Sequence, residues 1–334
     1  MRLTRLTELL NRFAGLRVAV VGDLFLDQWF HIDPALDEPS VETGLTAWQV
    51  VRRRAAAGAA GTVINNLRAM GVGKVDAVGF TGEDGDGWMI RHLLETQGVD
   101  TSHIVPVPER MTPSYLKPML MRHGALVEGN RLDVKNHETT PAWVEDRIIA
   151  SLSALAGEVD AIIVLDQLTL ENSGAVTARV REALARLGQA YPKLFIYADS
   201  REYIGQFRHV MIKCNHLEAA RALGEALPIP EAMRRLAART GRPVVVTLGS
   251  EGIAVEEGTV VAAAVQKGPI DVCGAGDSAS AALVSGLCAG ASMAEAAHLG
   301  NLAAGVTVRK LGTTGTATQA EMIALYHEQF EVQE

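Results

Sequence analysis

The stretch GPIDVCGAGDSASAAL, residues 268–283, sets Gly274 and Gly276 on either side of Ala275 and puts one acid, Asp277, where an apolar segment begins. Glycine permits φ > 0 and lets main-chain amides approach a ligand with no Cβ between them. Helical apolar spacing follows (Ala282, Leu283, Gly286, Leu287), so the N–H groups of Gly274, Ala275, Gly276 and Asp277 are expected to converge at the positive end of a helix dipole. Anionic oxygen binds at such a place. The carboxylate beside it can cap the helix. Alternatively, it can take the proton of an attacking hydroxyl while the amides hold the charge of a moving phosphoryl group. A cap needs no glycine on either side of Ala275, so the pattern favours phosphoryl transfer to an alcohol, with Asp277 as base and Gly274, Ala275 and Gly276 as the anion hole. No GK[ST] occurs in the chain, and the turn is not a GxGxxG dinucleotide loop.

Other polar residues allow more than one chemistry. Asn215 and Glu218 stand three apart and share a face if helical; taken locally they are an N-cap and an exposed acid. Gly249-Ser250-Glu251-Gly252 has the composition of a hairpin turn. Asp27 follows an apolar strand, and a carboxylate that accepts two hydroxyl protons suits a vicinal diol. Asp84-Gly85-Asp86-Gly87 fails as a calcium loop, since Trp88 takes the fifth position and no matching glutamate follows. The histidines form no HExxH cluster. Cys214, Cys273 and Cys288 have neither metal spacing nor a paired framework, as in a reducing compartment.

The elements that position these groups follow from hydropathy. The runs at 17–22, 161–165, 194–198, 209–213 and 243–248 are nearly all apolar, as strands covered on both faces must be. Helix-period segments lie between them, at about 61–71, 86–97, 141–156, 174–188, 216–223, 229–240, 277–289 and 293–310. This alternation predicts an α/β chain with a mostly parallel sheet between two helical layers. Residues 28–52 and 106–134 break the rhythm and read as short antiparallel strands, either a lid over the carboxyl ends of the main strands or surface decoration. With 334 residues, 48% hydrophobic and 21% charged, one domain over 1–334 is expected. The net charge of −8 argues against nucleic-acid or anionic-lipid partners. No secretory h-region or spanning run is seen, which makes the cytoplasm the expected compartment.

DVCGAGDSASAAL resembles the C-terminal signature of the PfkB/ribokinase family of carbohydrate kinases, and further segments agree in order across about 17–315. GAAGTVINNLRAMG (58–71) is similar to the family's N-terminal glycine-rich motif, and GFTGEDGDG (79–87) to its G-x-D-x-x-G turn. KCNHLEA (213–219) resembles the N-x-x-E element, and VTLGSEGI (246–253) the nucleotide-side turn. KLGTTGT (310–316) and GDLFLDQW (22–29) lean toward heptose-phosphate kinases, and a nucleotidyltransferase domain like the one that follows in two-domain members is not expected.

The resemblance implies a ribokinase-like three-layer α/β/α fold with a small antiparallel β lid, ATP and Mg²⁺ as cofactors, and a sugar or sugar phosphate as acceptor. Asp277 is then the base. Asn215 and Glu218 organise Mg²⁺ through water, while Thr247, Gly249 and Gly252 line the nucleotide and Asn301 lies near the adenine. Asp27, with Gly58, Ala59, Gly61 and Thr62, meets the sugar; Asp23 is structural or assists. Lys117 and Arg131, in the lid, contact a substrate phosphate or are solvated, and Arg52, Arg53 and Arg54 form a solvated edge or supply one residue that reaches an acidic substrate. The 310–316 loop bears on a dependence on K⁺. Two lids covering one another predict a homodimer.

Departures from the family pattern fall mostly on the sugar side: Ala59 for glycine, Thr62 for asparagine, Gln167 and Leu168 where Asp-Tyr is expected, and Cys273 for threonine. Two rivals therefore stand beside the sugar kinase: a nucleoside kinase of the same fold and a non-catalytic sugar or nucleotide sensor.

Overall fold

A computed structural model describes residues 1–122 and 124–330. In chain order the strands are β1 (Arg17–Gly22), β2 (Leu24–Ile32), β3 (Glu38–Pro39), β4 (Thr46–Ala47), β5 (Val50–Ala59), β6 (Lys74–Gly82), β7 (Asp100–Val107) and β8 (Ser114–Arg122). They continue as β9 (Ala125–Glu128), β10 (Leu132–Val134), β11 (Ala161–Asp166), β12 (Phe195–Ser200), β13 (Met211–Asn215), β14 (Val244–Thr247), β15 (Gly252–Val255) and β16 (Thr259–Ala262). The helices are α1 (Leu3–Arg12), α2 (Ala60–Ala69), α3 (Gly85–Glu95), α4 (Ala142–Leu155) and α5 (Ala178–Ala190). After them come α6 (His216–Leu223), α7 (Ile229–Thr240), α8 (Ala275–Cys288), α9 (Met293–Thr307) and α10 (Gln319–Phe330).

The large sheet runs β16-β15-β14-β13-β12-β11-β1-β6-β7. It is parallel from β14 to β7 and antiparallel at the β14-β15-β16 end. Its apolar strands are buried on both faces. On β1, Val18 and Val20 pack with α1, α2, α3, α8, α9 and α10, while Ala19 and Val21 pack with α4 to α7. The chain leaves β1 toward β6 and β7, then returns on the other side to β11. The carboxyl ends of β1 and β11 therefore form a topological switch point, where open α/β sheets bind ligands.

The second sheet has the order β10-β8-β2-β5, with β9 on β8. Its pairs are antiparallel except β2–β8, which is parallel. Its strands reach further than the sequence suggests: β2 begins at Leu24 and β5 ends at Ala59, so Asp27 and Gly58 belong to this sheet itself. At the other segment, residues 106 and 107 close β7 on the edge of the large sheet, and the lid begins at Ser114. Hydropathy misses β6 and β7 because Asp76 interrupts β6 (Lys74 Nζ stands 2.9 Å from it) and β7 is an edge strand of mixed polarity.

Candidate active site

Gly274 occupies the N-cap position of α8 with φ 79° and ψ 0°, a left-handed conformation natural to glycine. The Ala275 N–H donates to the Val272 carbonyl at 3.2 Å, closing a turn whose third residue has type II geometry. The four expected free amides are therefore three: Gly274, Gly276 and Asp277 keep N–H groups without an intramolecular partner among the described residues, and Ala275 does not. Asp277 sits in the first turn of α8 and does not cap it. Its carboxylate makes no hydrogen bond or ion pair among the described residues.

Sequence reading missed the group under this bend. Lys213, near the end of β13, is buried and paired with buried Asp199 of β12, Nζ to Oδ2 at 2.7 Å. The register places the two opposite each other in the parallel pair. A Cβ on Gly276 would lie 3.3 Å from the Lys213 Nζ, so the ammonium rests against the glycine bend. Burial alone would lower Lys213, but the Asp199 carboxylate more than offsets this and holds the ammonium above its ordinary value. Burial, reinforced by Asp199, pushes Asp277 up to about 7, while Lys213 and Arg201 pull the other way. Asp27 adds a smaller upward push. The signal for Lys213 was present, since Lys213 and Asn215 lie two apart on a strand and share its face.

Asp27 is buried in the middle of β2, opposite Ala56 of β5 and Tyr115 of β8. Lys117 Nζ stands 3.3 Å from its Oδ1. Burial still raises the Asp27 carboxyl, with Lys117 and Arg131 opposing. Lys117 and Arg54 both lie over the Trp29 ring, at 4.7 Å and 4.8 Å from its centroid. Arg131 lies over Tyr115 at 4.2 Å and pairs with Asp133 through two nitrogens, at 2.6 Å and 2.9 Å. Strand alternation puts Asp27, Trp29, Arg52, Arg54, Tyr115 and Lys117 on one face of the lid sheet. Arg53 falls on the other face, over Phe30. Asp23 is committed to structure: its carboxylate accepts the main-chain N–H groups of Gln167, Leu168 and Ala175.

Gly58 and Gly61 are packing requirements. A Cβ at 58 would strike Asp27, and one at 61 would stand 2.5 Å from the Ala57 Cβ. Ala59, the N-cap of α2, holds φ 53° and ψ −118°, a glycine-type conformation carried by a residue with a Cβ. Thr62 is buried in the first turn of α2, and its methyl lies 3.5 Å from where a Cβ on Gly274 would be. The first turns of α2 and α8 therefore meet at the bend. Thr314 of the 310–316 loop borders the same spot, its hydroxyl buried without a partner among the described residues. Arg54 reaches this loop at the Gly312 carbonyl, 3.2 Å away.

On the other side of the bend, Asn215 is the N-cap of α6. Its Oδ1 accepts from Leu217 and Glu218 at 2.9 Å, and Glu218 Oε2 accepts from the Asn215 N–H at 2.8 Å, a complete capping box. The Asn215 oxygen thus accepts two main-chain N–H groups in the structure. Glu218 is not an exposed acid either: it is half-buried, burial raises its carboxyl, and Oε1 is left over. Thr247 pairs with Asn215 in register at the end of β14. Gly249 and Gly252 close the β14–β15 hairpin with φ 60° and 117°. Asn301 is buried rather than solvated; its amide donates to the Val261 and Ala262 carbonyls, tying α9 to β16. Asp84 caps α3 through Gly87 and binds Thr112, a structural use of that turn. Cavities of about 430 and 610 Å³ around Phe195 lie at the opposite end of the sheet and gather no cluster of acids.

A family model described as pfkB family carbohydrate kinase matches residues 18–320. The bifunctional protein HldE of Trichlorobacter lovleyi is 31% identical over 325 residues, covering 95% of this chain and 64% of that protein. HldE of Citrifermentans bemidjiense is 30% identical, covering 94% and 64%. The chain thus spans 64% of the length of these curated relatives. Ribokinase of Arabidopsis thaliana, solved with ribose and ATP, superposes with a TM-score of 0.65 at 17% identity, covering 93% of this chain and 98% of that one. Phosphofructokinase-2 of Escherichia coli, solved with substrates and products, gives 0.66 at 16% identity, covering 94% and 99%. These structures share the ribokinase-like fold. With its motifs in order and the family model matching residues 18–320, the chain belongs to the pfkB family of carbohydrate kinases.

Proposed function

We propose that the protein transfers the γ-phosphoryl group of ATP to a hydroxyl of a sugar phosphate. The observation that carries this is Asp277: an unpaired, partly buried carboxylate raised to about 7, next to the free amides of a left-handed glycine turn. The acceptor lies against Asp27, which takes hydroxyl protons in hydrogen bonds. Asp277 removes the proton of the attacking hydroxyl, whose oxygen bonds to the γ-phosphorus as the bond to the ADP oxygen breaks. The N–H groups of Gly274, Gly276 and Asp277 hold the charge on the moving group. Thr247, Gly249, Gly252 and Asn301 border the nucleotide, the last through its backbone-tied helix.

The residues present fit Mg²⁺ sparingly. No cluster of three metal-ligating side chains occurs among the described residues, and Glu218 Oε1 is a carboxylate oxygen that the capping box leaves over. That suits a hydrated ion held mainly by phosphates. Such an ion, when bound, neutralises phosphate charge; Asn215 holds Glu218 in place for it. A K⁺ requirement belongs to the proposal through the Thr314 hydroxyl, a buried oxygen without a partner among the described residues.

The charge on the lid supports a phosphorylated acceptor. Arg54, Lys117 and Arg131 all lie over aromatic rings of the sheet that holds Asp27, so those rings are not bare faces for a nucleobase. The lid leaves Val50, Val51, Met121, Leu126, Val127 and Leu132 exposed, which supports a homodimer through it. A strict monomer by light scattering would remove that part. No helix among the described residues is long and apolar enough to cross a membrane, and the use of ATP suits the cytoplasm.

The test is an ATP-consumption screen over free sugars, sugar phosphates and nucleosides. Acceptor-dependent ADP release with sugar phosphates is expected. Release with nucleosides alone would favour the nucleoside kinase, and none with any acceptor the sensor.

A further inference from the structure

One face of α8 runs along β12 and β13 from the glycine bend toward the far end of the sheet. Gly276, Ser280, Val284 and Leu287 share that face through their spacing of four, four and three. Strand alternation puts Asp199, Tyr197 and Phe195 of β12 on one surface, with Lys213 beside Asp199 and Met211 beside Tyr197 in register. At the bend the layers touch, since a Cβ on Gly276 would stand 3.3 Å from the Lys213 Nζ. One turn on, the buried Tyr197 hydroxyl and Ser280 Oγ are hydrogen-bonded at 3.1 Å. Beyond that bond the layers part. Phe195, Met211, Val284 and Leu287 line a cavity of about 430 Å³, and Phe195 is left 37% exposed. Protein interiors are close-packed with few voids larger than a water molecule, so a gap of this size in the seam has room for a ligand.

Three basic residues line the same cavity, each two positions before a strand: Lys193 before β12, His209 before β13 and Arg242 before β14. They arrive on three separate loops. Among the described residues no acid lines the cavity, although the whole chain carries a net charge of −8. An apolar wall with converging positive groups matches a molecule that has an apolar body and one anionic head.

We propose that this cavity is an effector site for a small amphipathic anion, and that its occupation is felt at the glycine bend through α8. Val284 and Leu287 lie about 12 and 16 Å along the helix from Gly276. A ligand wedged between β12 and the last turns of α8 fixes the spacing of helix and sheet, and the Tyr197–Ser280 bond carries that constraint to the first turn. The site goes beyond the kinase reading and does not depend on it.

Calorimetry with hexanoate, octanoate and octanol tests the proposal. Each buried methylene strengthens binding about fourfold, so octanoate should bind about fifteenfold tighter than hexanoate, and tighter than octanol. Lys193→Ala, at an exposed position, should weaken octanoate about fivefold and leave octanol unchanged. Met293 lines the cavity from the start of α9, so Met293→Trp fills it and should abolish binding of both. Thermal melts establish that both variants fold. Hydrogen exchange at the amides of Ser278, Ala279 and Ser280 reads the bend. Opening of α8 releases the ligand, so with octanoate at ten times its Kd these amides should exchange about tenfold more slowly. No binding to wild type, octanol bound as tightly as octanoate, or octanoate binding unaffected by either variant overturns the proposal, as does unchanged exchange on binding. Loss of octanoate binding as protein concentration rises would assign the cavity to a second copy of the chain and overturn it as well.

Discussion

A side chain at residue 58 would stand 2.3 Å from Oδ2 of Asp27, so the position of that carboxylate depends on the bare backbone of Gly58 on the neighbouring strand. Gly58→Ala must push Asp27 away from its place beside Lys117. Loss of positioning at a reacting group costs about 100-fold, so kcat/KM for the acceptor is expected to fall by about that factor while nucleotide affinity holds. Steady-state kinetics varying each substrate separately check this. Equal loss on both substrates would mean that Gly58 supports the whole fold instead.

Ala59 has a backbone conformation in which a Cβ is strained, with φ 53° and ψ −118°. Ala59→Gly relieves that strain and should stabilise the protein by about 1 kcal/mol, partly offset by the greater freedom of glycine in the unfolded chain. A melting temperature higher by about 2 °C is expected. An unchanged or lower value would mean that the loop pays no such penalty.

The large sheet was legible because strands covered on both faces have little choice but to be apolar; Val18 to Val21 serve two cores at once. The glycine bend was legible because its φ excludes most residues. Three features were hidden. Asp76 masks β6 by being a buried acid within a strand, tolerated through Lys74. The ends of the lid strands lack alternation: β2 begins with the buried run Leu24–Leu26, and β5, an edge strand, closes on alanines and Gly58, so neither carries a period-2 pattern. Lys213 was overlooked despite its spacing from Asn215, because its partner Asp199 pairs with it across the sheet and not along the chain. Asn215 and Glu218 illustrate the reverse case: the local capping pattern was correct, and it also decides which oxygen remains free.

Asp277 is raised to about 7, first by burial and then by Asp199. A general base must be ionised, so kcat/KM should fall about tenfold per pH unit below that value. The folded form disfavours the charge, so the stability Asp277 confers is present at low pH and lost as pH rises through about 7. Asp277→Asn should therefore melt above wild type at pH 8, the gap closing as pH falls toward the ordinary 3.8. A profile flat down to pH 5 would place the base elsewhere.

Glu218→Gln keeps an oxygen to accept from the Asn215 N–H, so the capping box survives while the charge is lost. The Mg²⁺ concentration for half-maximal activity should rise, by about tenfold, with thermal stability unchanged, since the ion depends on few protein carboxylates. Asn215→Ala, in contrast, should cost about 1 kcal/mol of stability as a lost cap and raise the Mg²⁺ requirement as well. A magnesium titration of both variants separates the two effects.

The central claim is tested most directly by the turnover of Asp277→Asn with ATP and an accepted sugar phosphate at saturation. A loss of about a thousandfold or more is expected, at the upper end of general-base contributions or beyond, with nucleotide affinity retained. Turnover close to that of wild type would contradict the assignment of Asp277 as the base at the glycine bend.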